Sequence, residues 1–138
     1  MYKRQLKFSD LKPREAATIF KLARHLRLSE SETLLKDGEK NDCLFLIVNG
    51  SCRILKNGNE ITVLDAGEFV GELSFISGDV VSADVISAGT TQIMAWDRHA
   101  LEPLFKRQGL YKSYVHSLCS EDIAHKLRRM TVAHVGDG

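Results

Sequence analysis

Between Thr33 and Trp96 the chain is cut by glycine into short apolar runs: TLLKDG, CLFLIVNG, SCRILKNG and NEITVLDAG, with DVISA and TQIMAW following on either side of Gly89. Runs this short, rich in β-branched and aliphatic residues and closed by Gly, Asn or Asp, read as strands joined in series by tight turns. Asn57-Gly58 is the clearest turn, because both residues tolerate the positive φ that a two-residue type I′ hairpin demands. Asp37-Gly38, Asn49-Gly50 and Ala66-Gly67 punctuate the neighbouring runs. A series of such hairpins is best closed as a small sandwich or barrel, here over 33–96.

Helical texture brackets the strands. An opening segment over 10–27 has Asp10 as a predicted N-cap and Pro13 in the first turn, with Ala16, Ala17, Ile19, Phe20, Leu22, Ala23 and Leu26 at helical spacing. Closing helices are predicted over 97–130. Asp97 is the expected N-cap of the first, with Leu101, Leu104 and Phe105 on one face and Gly109 as its end. The second runs from Leu110 to Met130 and repeats Val115, Cys119, Ile123, Leu127 and Met130 as an apolar stripe. Such a stripe wants a partner, which is the barrel, a bound base or a second copy of the chain. After Thr131 the tail is short and polar and is expected to fray.

The 138 residues, 43% hydrophobic and 27% charged, suffice for one core and leave no room for a second domain, so 1–138 reads as a single domain. A formal charge of +1 makes no electrostatic case for nucleic acid. Cys43, Cys52 and Cys119 are odd in number, lack C-x-x-C spacing and sit in apolar stretches, so they read as reduced core thiols. His25, His99, His116, His125 and His134 make no ligand spacing, so no metal is expected. No nucleophile elbow, P-loop or dinucleotide fingerprint appears, and the chain does not read as an enzyme. With no membrane-length apolar run and no signal peptide, it reads as a soluble cytoplasmic domain. Met1–Gln5 resemble a translated sequencing adapter and are read as non-native. What preceded Leu6, a membrane segment included, is therefore left open.

The chemistry concentrates in Gly67–Val85, GEFVGELSFISGDVVSADV. Gly71 lets a ligand approach the backbone closely, Glu72 supplies a carboxylate, and a helical turn after it would aim free N–H groups at an anion. This stretch resembles the phosphate-binding cassette of cyclic-nucleotide-binding domains, whose pattern is F-G-E-L-A-L-L, a variable gap, then P-R and a small residue. The match holds through Leu73 and Phe75. Aligned on Ala83, the family's Pro-Arg falls on Val80 and Val81, so the arginine that would pair with a cyclic phosphate is replaced. The order of helix, strands, cassette and helices is similar to that family over Phe20 to Met130. It implies a mainly β fold with flanking helices, a double-stranded β-helix or jelly-roll barrel.

The resemblance implies ligand-binding roles for Gly71, Glu72, Leu73, Ser74, Ser82 and Ala83. Glu72 would accept a hydrogen bond from a ribose hydroxyl, the Gly71, Leu73 and Ser74 backbone would hold phosphate, and Ser82 and Ala83 would offer a hydroxyl and an N–H. No cofactor is called for. Losing a charge-assisted partner worth about 1.5–3 kcal/mol weakens such a site by roughly one to two decades. Asp84 either faces solvent or enters the pocket, where it would favour a neutral or cationic ligand. Arg53 and Arg98 are read as surface residues, and Trp96 as an aromatic covering the barrel. Glu72 also has a reading without ligand, as a carboxylate favouring a helix N-terminus.

The implied function is a non-enzymatic regulatory sensor that binds cyclic AMP or cyclic GMP and signals through its closing helices. Beyond Trp96, AWDRHALEPLFKR and LYKSYVHSLCSEDIAHKL look similar to the closing segment of the Popeye domain, although Val-Gly-Glu-Leu stands where Popeye proteins have Asp-Ser-Pro-Glu. That likeness implies the alternative: a ligand-free interaction module, a homodimer through the last helix, beneath a membrane anchor upstream.

Overall fold

The computed structural model describes residues 12–137, with side chains described through Arg129. Met1–Gln5 and Asp10 lie outside these residues, as do the side chains of Met130 and His134. Helix α1 (Pro13–Lys21) opens at its proline, and the cap position expected for Asp10 belongs to Lys12, whose N–H donates to Glu15 Oε1 at 3.1 Å. Eight strands follow, interrupted by one short helix: β1 (Arg24–Leu28), β2 (Thr33–Leu35), β3 (Cys43–Asn49), β4 (Ser51–Lys56), β5 (Asn59–Asp65), β6 (Phe69–Val70), α2 (Glu72–Ser77), β7 (Asp84–Ser87) and β8 (Thr91–Asp97). Helices α3 (Arg98–Arg107) and α4 (Gly109–Asp137) close the chain.

The strands form two four-stranded antiparallel sheets in the orders β1-β8-β3-β6 and β2-β7-β4-β5. This is the jelly-roll arrangement expected, but the strands are not hairpins in series: of the strands adjacent in sequence only β4 and β5 pair, whereas Asn49-Gly50 carries the chain from one sheet to the other. Asn57 and Gly58 have φ of 53° and 80°, and Lys56 pairs with Asn59 across them.

Alternation along the first sheet builds two cores. Phe45 and Ile47 of β3, Val70 of β6, and Ile93 and Ala95 of β8 face the barrel interior with Cys52, Leu64 and Val85. Their neighbours Leu44, Phe69 and Trp96 face outward and meet Ile19, Leu101, Leu104, Tyr111, Val115 and Leu118 from the helices. Burial on both faces explains the unbroken apolar run of CLFLI; Val48, which follows it, is exposed. Trp96 lies on the helical side, where its indole N–H donates to the Ile19 carbonyl at 2.8 Å and its ring lies 6.2 Å from that of Phe20.

Three sequence expectations need correction here. The opening helix stops at Lys21, because Leu26 and Leu28, which also suit a strand's two-residue period, pair along β8 with Leu26 opposite Ile93. Gly109 does not end α3; the chain leaves helical geometry at Gln108 (φ −140°, ψ 92°), and Gly109 begins α4. The last helix passes Met130 and Thr131 and continues to Asp137. Its stripe also divides. Tyr111, Val115, Leu118 and Cys119 are buried, whereas Leu127 is 59% exposed.

Candidate functional site

The loop from β6 into α2 is shaped by Gly71 and by an asparagine from the connection between β2 and β3. Gly71 stands at the cap of α2 in the left-handed region (φ 77°), and a Cβ there would come within 2.8 Å of Asn41 Nδ2 and 3.3 Å of Leu35 Cδ1. Asn41 Nδ2 donates to the Cys43 carbonyl at 2.8 Å and to Ser74 Oγ at 3.1 Å, and Ser74 Oγ donates to the Gly71 carbonyl at 3.1 Å. Asn41 Oδ1 in turn accepts the Cys43 N–H at 3.0 Å. Asn41 was not singled out from sequence. Its signal is weak, an Asn just ahead of a strand and thirty-odd residues from the glycine it serves, roughly the reach of one long connection.

Glu72 is buried, and so is Ser74; Leu73 is 59% exposed. The Glu72 carboxylate is met by α4. Lys126 Nζ donates to Glu72 Oε1 at 2.8 Å and to the Phe69 carbonyl, and it lies 2.6 Å from Asp122 Oδ2 one turn back on its own helix. Two carboxylates thus share one ammonium. Burial pushes the Glu72 carboxyl above its ordinary value against the pull of Lys126, and burial does the same to Asp122. One turn further along, Arg129 makes a two-pronged pair with Glu68, at 2.8 and 3.0 Å. Burial alone would raise the Glu68 carboxyl. The hydrogen bonds from Arg129 and from the Asp65 N–H outweigh it and hold it low. Neither cation was identified from sequence, where only the apolar stripe of this helix carried signal.

The remaining predicted residues, Ser82 and Ala83, follow Val81 along the chain towards β7. Ser82 is exposed and Ala83 half-buried on the segment leading into β7. Val81, at the position aligned with the family's arginine, is 7% exposed and packed in the barrel core with Val70 and Val85. Its N–H donates to the Glu39 carbonyl at 2.8 Å and its carbonyl accepts from Gly38 at 2.7 Å. Asp84 Oδ1 accepts the Asp37 N–H at 2.8 Å, and Lys56 pairs with the Asp37 carboxylate. Asp84 is therefore a turn staple, which removes the ground for reading it as a recognition residue for a cationic ligand.

Arg98 is not a plain surface residue. Its guanidinium lies 4.4 Å from the centre of the Phe75 ring, donates to the Phe75 carbonyl and stands 3.5 Å from Asp42, tying the start of α3 to α2. Asp97 does occupy the cap position of α3, but its carboxylate is taken by Arg24 (2.9 Å to each oxygen) and by the Cys43 thiol. A cavity of about 10 Å³, lined by apolar residues including Ile19, Leu44, Trp96 and Leu118, belongs to the helical core and has room for about one water. Among the described residues no group of His, Cys, Asp and Glu suits a metal ion, and no helix is long and apolar enough to cross a membrane.

A family model described as "Cyclic nucleotide-binding domain" matches residues 25–108. A cAMP-dependent protein kinase regulatory subunit from Debaryomyces hansenii is 24% identical over 115 residues, which cover 78% of this chain and 25% of that protein. The chain thus spans about a quarter of that relative's length. Among solved structures, a cyclic nucleotide-binding domain from Methylobacillus flagellatus superposes with a TM-score of 0.87 at 22% identity, covering 96% of this chain and 78% of that one. The regulatory subunit of a cAMP-independent protein kinase A from Trypanosoma brucei matches with a TM-score of 0.63 at 24% identity, covering 69% and 36%.

Proposed function

The chain belongs to the cyclic nucleotide-binding domain family, and from that premise we propose that it is a non-enzymatic regulatory sensor that takes cyclic AMP or cyclic GMP at its cassette and reports through α4. The observation that carries this reading is Glu72. A carboxylate on the first turn of α2, beside a left-handed Gly71, is joined directly to the last helix through Lys126. Whatever engages Glu72 must therefore act on α4, and a ligand that binds one arrangement of that helix better than another shifts its population. The kinase regulatory subunit from Debaryomyces hansenii, named as cAMP-dependent, supports cyclic AMP as the first ligand to try. The whole of 1–138 is read as this one domain, acting in the cytoplasm.

The test is calorimetric titration of the chain with cyclic AMP and cyclic GMP, beside Glu72→Ala. Weak binding, with a dissociation constant between about 10 μM and 1 mM, that disappears in Glu72→Ala is the expected result. No heat from a folded native chain at millimolar ligand would sink the reading.

A second reading, a ligand-free interaction module, is favoured by Val81, an apolar residue buried in the barrel core at the position aligned with the family's arginine. The relative from Trypanosoma brucei is itself named cAMP-independent. A homodimer through α4 and a membrane anchor ahead of Leu6 belong to this reading, and its Popeye likeness rests on the closing sequence alone.

A further inference from the structure

The two halves of α4 are docked by different chemistry. From Tyr111 to Cys119 the contact is apolar and buried. From Asp122 to Arg129 it is polar: Lys126 on Glu72 and the Phe69 carbonyl, Arg129 on Glu68 and the Val63 carbonyl, with Leu127 left 59% exposed. Lys126 and Glu72 are deeply placed, their side chains 12% and 8% exposed. The second oxygen of Glu72 is buried and accepts no hydrogen bond among the described residues.

We propose that Lys126 is a tethered occupant of the cassette: its ammonium fills the donor position at Glu72, holds the second half of α4 closed, and must be displaced by any ligand that offers Glu72 a hydroxyl. The arrangement makes displacement feasible. Lys126 keeps Asp122, four residues back on its own helix, so the ammonium leaves Glu72 without becoming unpaired. Glu72, once vacated, is a buried carboxylate that needs a new donor, and a ligand hydroxyl supplies one. Arg129–Glu68 is more exposed on its cation, 34%, and acts as the outer rung of the same closure. A ligand hydroxyl and the docked 122–129 then compete for one carboxylate, because its second oxygen is closed off by burial while Lys126 holds the first. The competition rests on reading Glu72 as a hydroxyl acceptor, whereas the closure stands on the contact itself.

Amide hydrogen exchange and nucleotide titration of the same proteins separate the two. The proteins are the native chain, Lys126→Met, which keeps the aliphatic stem and removes the charge, and Glu72→Gln, which breaks the pair without touching α4. Exchange over 120–129 should quicken by about tenfold or more in both variants while 111–119 stays protected. Cyclic AMP should bind Lys126→Met about tenfold more tightly than native and should quicken exchange over 120–129 in the native chain. Unchanged exchange in both variants would overturn the closure whatever the nucleotide does. Faster exchange with native binding that Lys126→Met fails to tighten would overturn the competition. Faster exchange with no nucleotide bound by any of the proteins would support the closure and sink the cyclic-nucleotide reading instead.

Discussion

Gly71 meets two constraints at once, a positive φ and the crowding of Asn41 and Leu35 against its α-carbon. Gly71→Ala should lower the unfolding free energy by about 1–3 kcal/mol in chemical denaturation, through backbone strain and displacement of Asn41. Val81→Arg places a guanidinium among Val70, Val85 and Ile93, and should cost more than about 2 kcal/mol. If the site accepts a cyclic phosphate, saturating cyclic AMP should raise the melting temperature of Val81→Arg more than that of the native chain. The acidic residues predict opposite pH responses. The Glu72 carboxyl faces Lys126, Asp122 and Cys119 of α4, with Glu68 and Arg129 beside that cluster, and is raised by burial. Its contribution is present below the unfolded-state value and is lost as pH rises through the raised folded value. Glu68 is held low, so its contribution is present above the unfolded-state value and is lost as pH falls through the folded one. Unfolding free energies measured from pH 3 to 8 should lose the first slope in Glu72→Gln and the second in Glu68→Gln. A native curve unchanged by both substitutions would refute the assignment.

At the scale of elements, α1 is attached through Ile19, Phe20 and the Trp96 indole. Trp96→Phe removes that hydrogen bond and part of the ring, and should cost about 1–3 kcal/mol, with faster exchange over 13–21 as the local sign. The strands from β2 onward and the Asn57-Gly58 hairpin were legible in the chain because their determinants are local: a two-residue period, and Asn or Gly where φ must be positive. Element ends were less so. The periodicity of Leu22, Leu26 and Leu28 suits helix and strand alike, and β1 forms because β8 supplies its ladder. Gly109 illustrates the converse, a residue with the right identity for a helix end at a break made by Gln108.

Across the whole molecule the three thiols are free; Cys52 and Cys119 are buried and Cys43 half-buried. Burial pushes Cys43 and Cys52 up to about 11, and Cys119 higher still, so little thiolate exists near neutrality. Alkylation followed by mass spectrometry should leave Cys52 and Cys119 unmodified in the native protein and modify both once it unfolds, making them reporters of global opening. Rapid labelling of either in the native state would refute their burial. The jelly-roll class, the strands from β2 onward and the Gly71-Glu72 motif were legible in the chain itself, since spacing, turn chemistry and motif are carried by near neighbours. Only the tertiary structure decided what Glu72 meets. Lys126 stands 54 residues away, on a helix whose apolar stripe announces a partner without naming the direction of its charged face. The pairing of two charges depends on where packing brings one helix across one sheet, and no local pattern encodes that distance.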